Sequence, residues 1–296
     1  MRPGFISFAV VLAVVACTPS GSPAPDSMVQ VVATTTVFAD LVSEVGGDRV
    51  AVRSLVPPGG EPHTFDPRPS DVIAFVDAHL VVMNGLGLDD WAVDLVSEAG
   101  SQAPVLRLAE DVPGADYIAD KEEGGTNPHL WLNVAYAISY VGRIAAALSE
   151  VDPDGAEGYS QRASDFGAVL EELDAFVRDE LASIPTGQRR VVSFHDAFPY
   201  FASAYGLEIV GTVVEAPGQD PSAGQVAALI DAIRASGARA ILSEDQFPSE
   251  LVEQIAAETS VAVVADLYSD SLGDPPGDSF VGMIRWDVER IVEALR

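Results

Sequence analysis

The sequence predicts an α/β protein whose two lobes are joined by one long helix. Short β-type runs alternate with amphipathic helical patterns in both halves of the chain, an order that favours parallel sheets covered by helices. Between the halves, a helical pattern runs from about 154 to 184. At about 1.5 Å per residue such a helix spans roughly 45 Å, more than one lobe needs, so we expect it to run along both lobes.

The first half contains three strand patterns and the helical patterns that follow them. In chain order these elements are predicted at 29–35, 38–45, 50–56, 70–76, 80–83 and 91–95. A stretch with few apolar residues, 110–128, is predicted to be a surface loop, and a helix follows it at 135–148.

The alternation restarts after Pro185 and repeats the architecture of the first half. The elements are predicted at 190–193, 207–214, 222–236, 238–242, 249–259, 261–264 and 279–295. We see no sequence repeat of fixed period. The chain is therefore divided into an N-terminal lobe at 28–150, a linking helix at 151–185 and a C-terminal lobe at 186–296.

The N-terminus has the pattern of an export signal, predicted at 1–16. Arg2 precedes the apolar run 5–15, which is too short to cross a bilayer because a spanning helix needs roughly 20 apolar residues. Small residues then lead to Cys17, the only cysteine in the chain, in a pattern that resembles a bacterial lipobox. We expect Cys17 to carry a lipid and 17–27, rich in Ser, Pro and Gly, to be a tether at the outer face of the cell membrane.

The charge of the chain excludes one class of partner. Asp and Glu number 45 against 16 Lys and Arg, a formal net charge of -29. Nucleic acids need clustered basic side chains, so they are not expected to bind. The acidity either concentrates cations near the surface or only keeps the protein soluble, and a specific site has to be sought in particular residues.

Four segments far apart in sequence carry side chains of metal-binding type: His63, His129, His195 and Asp270. They include three of the four histidines of the chain. Imidazole nitrogen and carboxylate oxygen suit zinc and neighbouring divalent metals. If the fold gathers these residues, they form one closed site, although such wide spacing is by itself a weak signal.

Other residues near these segments define alternatives and supporting roles. Asp266 stands four residues before Asp270 and is the alternative fourth ligand. Asp196 and Glu244 lie near predicted strand ends, where they either hold a ligand imidazole from outside the site or act as a helix cap or surface charge. His79 lies outside these segments and is expected to be structural.

Several segments together resemble a known family. They lie at 62–67, 84–88, 128–132, 195–198 and 270–273 and occur in the same order along the chain. The chain resembles the metal-binding lipoproteins of bacterial zinc and manganese ABC importers. The resemblance implies two α/β lobes joined by a long helix, with metal held in the cleft between them.

The resemblance also implies ligands, cargo and partners. It assigns metal binding to His63, His129, His195 and Asp270, and delivery of the metal to an ABC permease by a monomer. Histidine at position 195 favours zinc, because manganese carriers of the family often have glutamate there. The stretch 110–125 has no histidine, unlike the His-rich loop linked with zinc uptake in some members. Manganese or iron remains the alternative cargo, and a second role as an adhesin stays open.

Two other functions fit the sequence less well. A zinc hydrolase keeps an open coordination position for water, whereas four ligands close the shell, and the chain has no His-Glu-x-x-His segment. A binding protein for an organic ligand, such as a chelated iron complex, would leave three histidines without a role. The sequence therefore predicts a carrier of a divalent metal and not an enzyme.

Overall fold

The computed structural model describes residues 28–120, 124–214 and 217–296. The predicted signal segment, the tether and Cys17 lie outside these residues. The first lobe contains a four-stranded parallel sheet with the order β2-β1-β3-β4. Its strands are β1 (Val29–Ala33), β2 (Val50–Ser54), β3 (Leu80–Met83) and β4 (Val105–Arg107).

The second lobe has a sheet of the same topology. Its strands are β5 (Arg190–Ser193), β6 (Glu208–Thr212), β7 (Ala240–Glu244) and β8 (Ala262–Leu267). They are parallel and have the order β6-β5-β7-β8. The predicted repetition of architecture between the two halves is confirmed.

Helices cover both sheets and connect the lobes. They are α1 (Thr36–Gly46), α2 (Pro69–Val76), α3 (Trp91–Glu98), α4 (Val134–Val151), α5 (Ala156–Ala182), α6 (Pro199–Tyr205), α7 (Ala223–Ser236), α8 (Glu250–Thr259) and α9 (Phe280–Leu295). Several begin where the sequence supplies a side-chain cap: Thr35, Asn133, Ser222 and Ser279 each accept a hydrogen bond from a backbone N–H in the first turn.

The long helix α5 contacts both lobes. Its 27 residues extend for about 40 Å. It packs against α1 and α4 of the first lobe and against α6 and α9 of the second. The prediction of one backbone helix is therefore confirmed.

Much of the hydrophobic core is common to the two lobes. One cluster of buried side chains includes Leu41 and Tyr140 of the first lobe, Leu170 of α5, and Phe201 and Met283 of the second lobe. Two smaller clusters lie on the outer faces of the two sheets. The lobes therefore share one apolar base.

Helix α4 belongs to this core. It is the one helix in the described ranges that is long and apolar enough to cross a membrane by length and composition. The same test is passed by core helices of soluble proteins, and α4 packs along α1 and α5. Its fully buried side chains include Tyr140 and Ile144.

Two short elements have no counterpart among the ranges predicted from the sequence. β4 has three residues, all half-buried, too few to show an alternating pattern. α6 has seven residues, begins at Pro199 and ends before Gly206, which is left-handed with φ of 79°. Both connect longer elements of each lobe, and α6 follows directly on the segment that contains His195.

Candidate metal site

Parallel strands bring the predicted ligands together. His195 and Asp270 follow β5 and β8 of the second lobe, His63 follows β2 of the first, and His129 lies in the loop between β4 and α4. The carboxyl ends of parallel strands meet at one edge of a sheet, where α/β proteins commonly bind ligands. Here the edges of the two sheets face each other, and one ligand atom from each of the four residues lies within 4.8 Å of the others.

The three imidazoles point the same type of nitrogen toward one centre. His129 Nε2 lies 3.2 Å from His63 Nε2 and 3.4 Å from His195 Nε2. Asp270 places Oδ1 at 3.2 Å from His129 Nε2 and Oδ2 at 3.3 Å from His195 Nε2. The arrangement is a small polar cage built by two residues from each lobe.

The cage is closed on most sides. His129 and His195 are each 1% exposed and Asp270 is fully buried, whereas His63 is half-buried. The side of His63 is thus the side nearest to solvent. Burial with the cationic forms of the neighbouring histidines lowers the pKa of His63 to about 3, so its imidazole is neutral at physiological pH.

A buried carboxylate supports His195 from outside the cage. Glu244, at the end of β7, places Oε1 at 2.7 Å from His195 Nδ1. Burial disfavours a charged imidazole, but Glu244 and Asp270 outweigh this effect and raise the pKa of His195 well above its ordinary value. The carboxylate beside Nδ1 favours a proton on that nitrogen of the neutral ring, and Nε2 faces the cage.

An amide supports His129 in the same way. Asn127 Oδ1 lies 3.1 Å from His129 Nδ1 and can only accept, so Nδ1 carries the proton. The amide orientation follows from its other end, because Nδ2 donates to the carbonyl oxygen of Asp196 at 2.6 Å. Asp196 Oδ2 lies 3.3 Å from the same nitrogen. Asp196, for which support of an imidazole was one of the two alternatives, lies beside Asn127 and reaches His129 only through that amide.

Sequence reasoning missed the role of Asn127. The residue stands two positions before His129, and Asn side chains often bond to backbone a short distance along the chain, as Asn127 Oδ1 does with His129 N–H at 3.1 Å. That spacing is the only local signal. The bond to Asp196 crosses between lobes and has no signature in the sequence.

Three side chains support Asp270. Ser269 Oγ donates to Asp270 Oδ2 at 3.0 Å, and Gln246 Nε2 lies 3.4 Å from the same oxygen. Trp131 Nε1 donates to the Ser269 carbonyl at 2.9 Å, which ties the segment to the first lobe. Burial opposes ionisation of Asp270, but His129 and His195 hold its pKa well below the ordinary value.

Glu61 is a further acidic group near the cage. Its Oε1 accepts the backbone N–H of His63 at 2.8 Å, which fixes the loop that carries this histidine. Burial and the negative charge of Asp270 raise the pKa of Glu61 to about 8. Its carboxyl is therefore largely protonated at neutral pH, and Asp270 is the carboxylate that faces the Nε2 atoms of His129 and His195.

Asp266, the alternative ligand, and His79, the histidine expected to be structural, both lie outside the cage. Asp266 is exposed, with Oδ2 at 3.5 Å from Arg290 Nη2, and is not a member of the cage. His79 is exposed at the start of β3, where its Nδ1 accepts the N–H of Gln30 at 2.8 Å. Of the two aspartates considered in the sequence, Asp270 is the one placed beside the histidines.

The two lobes have parallel sheets, are joined by a long helix and enclose a cage of three histidines and one aspartate. This arrangement is typical of the solute-binding proteins that carry metal ions. A model of the family described as zinc-uptake complex component A, periplasmic, matches residues 31–294. The match covers most of the chain, and the chain belongs to this family.

Individual relatives are similar to this chain over nearly its whole length. The manganese-binding lipoprotein of Halalkalibacterium halodurans is 29% identical over 299 residues, 98% of each chain. An iron ABC transporter substrate-binding lipoprotein of Streptococcus pyogenes is 28% identical over 299 residues, 98% of this chain and 96% of the relative. The periplasmic zinc-binding protein TroA from Treponema pallidum is 28% identical, with a TM-score of 0.83 over 90% of this chain and 99% of its own.

The chain is accordingly an extracytoplasmic metal-binding component of an ABC importer, and it is not an enzyme. Components of this kind pair with a permease and an ATPase. The relatives are named for manganese, iron and zinc. The family therefore defines a divalent metal cargo without identifying which metal it is.

Proposed function

We propose that the chain captures Zn²⁺ with His63, His129, His195 and Asp270 and delivers it to an ABC permease. The observation that carries this proposal is the approach of His129 and His195. With a metal bound, both rings would carry their proton on Nδ1 and turn their Nε2 lone pairs, 3.4 Å apart, toward one position; without metal, the raised pKa of His195 keeps a proton there instead. Two lone pairs this close repel each other unless a cation or a proton lies between them.

The spacing of the cage suits zinc. With zinc–ligand bonds of about 2.0–2.1 Å, the ligand atoms of a tetrahedral site lie about 3.3 Å apart. The distances from His129 Nε2 to His63 Nε2, His195 Nε2 and Asp270 Oδ1 are 3.2, 3.4 and 3.2 Å. Three imidazoles and one carboxylate also give a ligand set richer in nitrogen than Mn²⁺ usually takes. Manganese and iron, named for two relatives, are the alternative cargoes.

The proposal includes the placement of the protein. Cleavage of the segment 1–16 leaves Cys17 as a lipid-carrying N-terminus, and residues 17–27 tether a monomeric domain to the outer face of the membrane. Its support is the lipobox-like sequence and the lipoprotein names of the relatives. In this arrangement the lobes 28–150 and 186–296 are joined by the linking segment 151–185.

Titration of metal-free protein tests the cargo. Competition with a chromophoric chelator is expected to give one tight Zn²⁺ per chain and weaker Mn²⁺. Tight binding of Mn²⁺ with weak binding of Zn²⁺ would identify manganese as the cargo. A stoichiometry near zero metal ions per chain would reject the site.

Alanine variants of the histidines test the ligand set. His63→Ala, His129→Ala and His195→Ala are each expected to weaken zinc binding by more than the roughly 10- to 100-fold that follows loss of a supporting partner. His79→Ala is the matched control and is expected to leave the affinity unchanged, because this ring lies outside the cage. Equal effects of all four substitutions would reject the assignment.

A further inference from the structure

The two oxygens of the Asp270 carboxylate have different surroundings. Oδ2 accepts a hydrogen bond from Ser269 Oγ at 3.0 Å and lies 3.4 Å from Gln246 Nε2 and 3.3 Å from His195 Nε2. Oδ1 accepts no hydrogen bond within the described residues and lies 3.2 Å from His129 Nε2. Oδ2 is thus held by two donors outside the cage although it also faces His195, whereas Oδ1 has no such donors and faces His129.

The donors on Oδ2 belong to one small network. Gln246 Nε2 also lies 3.3 Å from Ser269 Oγ, so the amide and the hydroxyl support each other. Gln246 is half-buried and stands two residues beyond Glu244, the partner of His195. The end of β7 therefore supports two of the four proposed ligands, one through each of these side chains.

We propose that Gln246 and Ser269 hold Asp270 as a ligand through Oδ1 alone and thereby select against metal ions that need five or six ligands. The inference rests on the proposed metal site. A carboxylate oxygen has two lone pairs, and donors from both side chains occupy those of Oδ2. With Asp270 bound through one oxygen, the protein supplies four ligand atoms.

Coordination number separates the candidate cargoes. Zinc in closed protein sites is nearly always four-coordinate, whereas Mn²⁺ favours octahedral sites rich in oxygen. A carboxylate that binds through both oxygens adds a fifth ligand atom without any other change in the cage. Hydrogen bonds that hold Oδ2 therefore lower the affinity for Mn²⁺ more than the affinity for Zn²⁺.

The test uses Gln246→Met and Ser269→Ala, which remove the donors with little change in volume. In each variant the ratio of Mn²⁺ to Zn²⁺ affinity, measured by chelator competition, is expected to rise about tenfold, the size expected for loss of a hydrogen bond to a charged group. Co²⁺ provides a second readout, because four-coordinate cobalt absorbs visible light more strongly than five-coordinate cobalt. The variants are expected to absorb less strongly than the wild-type protein.

Gln219→Ala is the matched control, since this exposed glutamine lines a groove beside Phe247 and has no contact with Asp270. It is expected to leave both the affinity ratio and the cobalt spectrum unchanged. An unchanged ratio and spectrum in Gln246→Met and Ser269→Ala, or equal losses of both metals, would overturn the selectivity role. Failure of the wild-type protein to bind zinc would instead reject the proposed metal site.

Discussion

At the scale of single residues, the imidazoles of His129 and His195 depend on how the nitrogen that points away from the cage is held. His195 is held by a carboxylate, which favours the charged ring, and His129 by a neutral amide, which fixes the tautomer without adding charge. His63 is neutral and lies nearest to solvent. The three rings are therefore chemically unequal although they have the same side chain.

Asn127→Ala is expected to weaken zinc binding about 10- to 100-fold, because His129 loses the acceptor that keeps its proton on Nδ1. Isothermal titration or chelator competition measures the change. Asn133→Ala is the matched control. It removes the acceptor for the Ala135 N–H at the start of α4, which lowers stability by about 1 kcal/mol, and is expected to leave zinc affinity unchanged. Equal affinity losses in both variants would contradict a specific role for Asn127.

The raised pKa of His195 predicts that metal binding releases a proton from this residue. In the metal-free protein His195 keeps its proton to a higher pH than the ordinary value of about 6.5. Zinc needs the unprotonated Nε2, so apparent affinity should rise by up to about tenfold per pH unit until the pH passes this raised pKa. His63, with a pKa of about 3, should release no proton in this range. Calorimetry in buffers of different ionisation enthalpy counts the protons.

The variant Glu244→Gln tests whether His195 is the group that releases the proton when zinc binds. Removal of the carboxylate lowers the pKa of His195 toward its ordinary value, so fewer protons should be released per zinc near neutral pH and the dependence of affinity on pH should be flatter. Proton release that stays the same in Glu244→Gln would show that another group titrates.

At the scale of elements, the sequence predicts the long regular elements, while the contacts that support the site depend on tertiary approach. α5 and α9 show clear apolar periodicity, and the proposed ligands His195 and Asp270 stand just after predictable strands. Gln246 reaches Asp270 only because the ends of β7 and β8 lie side by side. No local pattern marks such a pair, and the same is true of Asn127 and the Asp196 carbonyl.

The junction of α1 and α9 gives a prediction on stability. Asp40 of α1 accepts the backbone N–H of Phe280 at 2.8 Å, at the start of α9. Burial raises the pKa of Asp40 to about 6, above a value of about 3.9 in the unfolded chain. The folded protein therefore binds more protons between these values, and this group destabilises the fold as pH rises from about 4 through 6.

Asp40→Asn keeps an acceptor for Phe280 and removes the buried charge. The metal-free variant is expected to be more stable than the wild-type protein at pH 7 by about 2 kcal/mol, and the difference should disappear near pH 4. Urea unfolding at several pH values measures it. Asp48→Asn, at an exposed position, is the control and should show no such trend. A difference between Asp40→Asn and wild type that does not vary with pH would contradict the assignment.

At the scale of the whole molecule, the two lobes are tied together around the cage. Leu272 N donates to Thr36 Oγ1 at 2.7 Å, and Gly59 N donates to the Leu272 carbonyl at 3.1 Å. Together with the bond from Trp131 to Ser269, these contacts attach the segment that carries Asp270 to the first lobe. Three of the four proposed ligands are thus braced by the first lobe, and His195 is held by the sheet of the second.

The proposed lipid anchor at Cys17 is tested by the variant Cys17→Ser. Acyl chains bind membranes by about 0.8 kcal/mol per buried CH₂ group, so a protein with several chains on Cys17 should fractionate with membranes. Serine cannot form the thioether to the lipid, and the variant should be recovered in the soluble extracytoplasmic fraction without the lipid mass. Its zinc affinity should equal that of the wild-type protein, because the cage is formed by residues 63–270. Membrane retention of Cys17→Ser, with no lipid mass on the wild-type protein, would show that another feature holds the protein at the membrane.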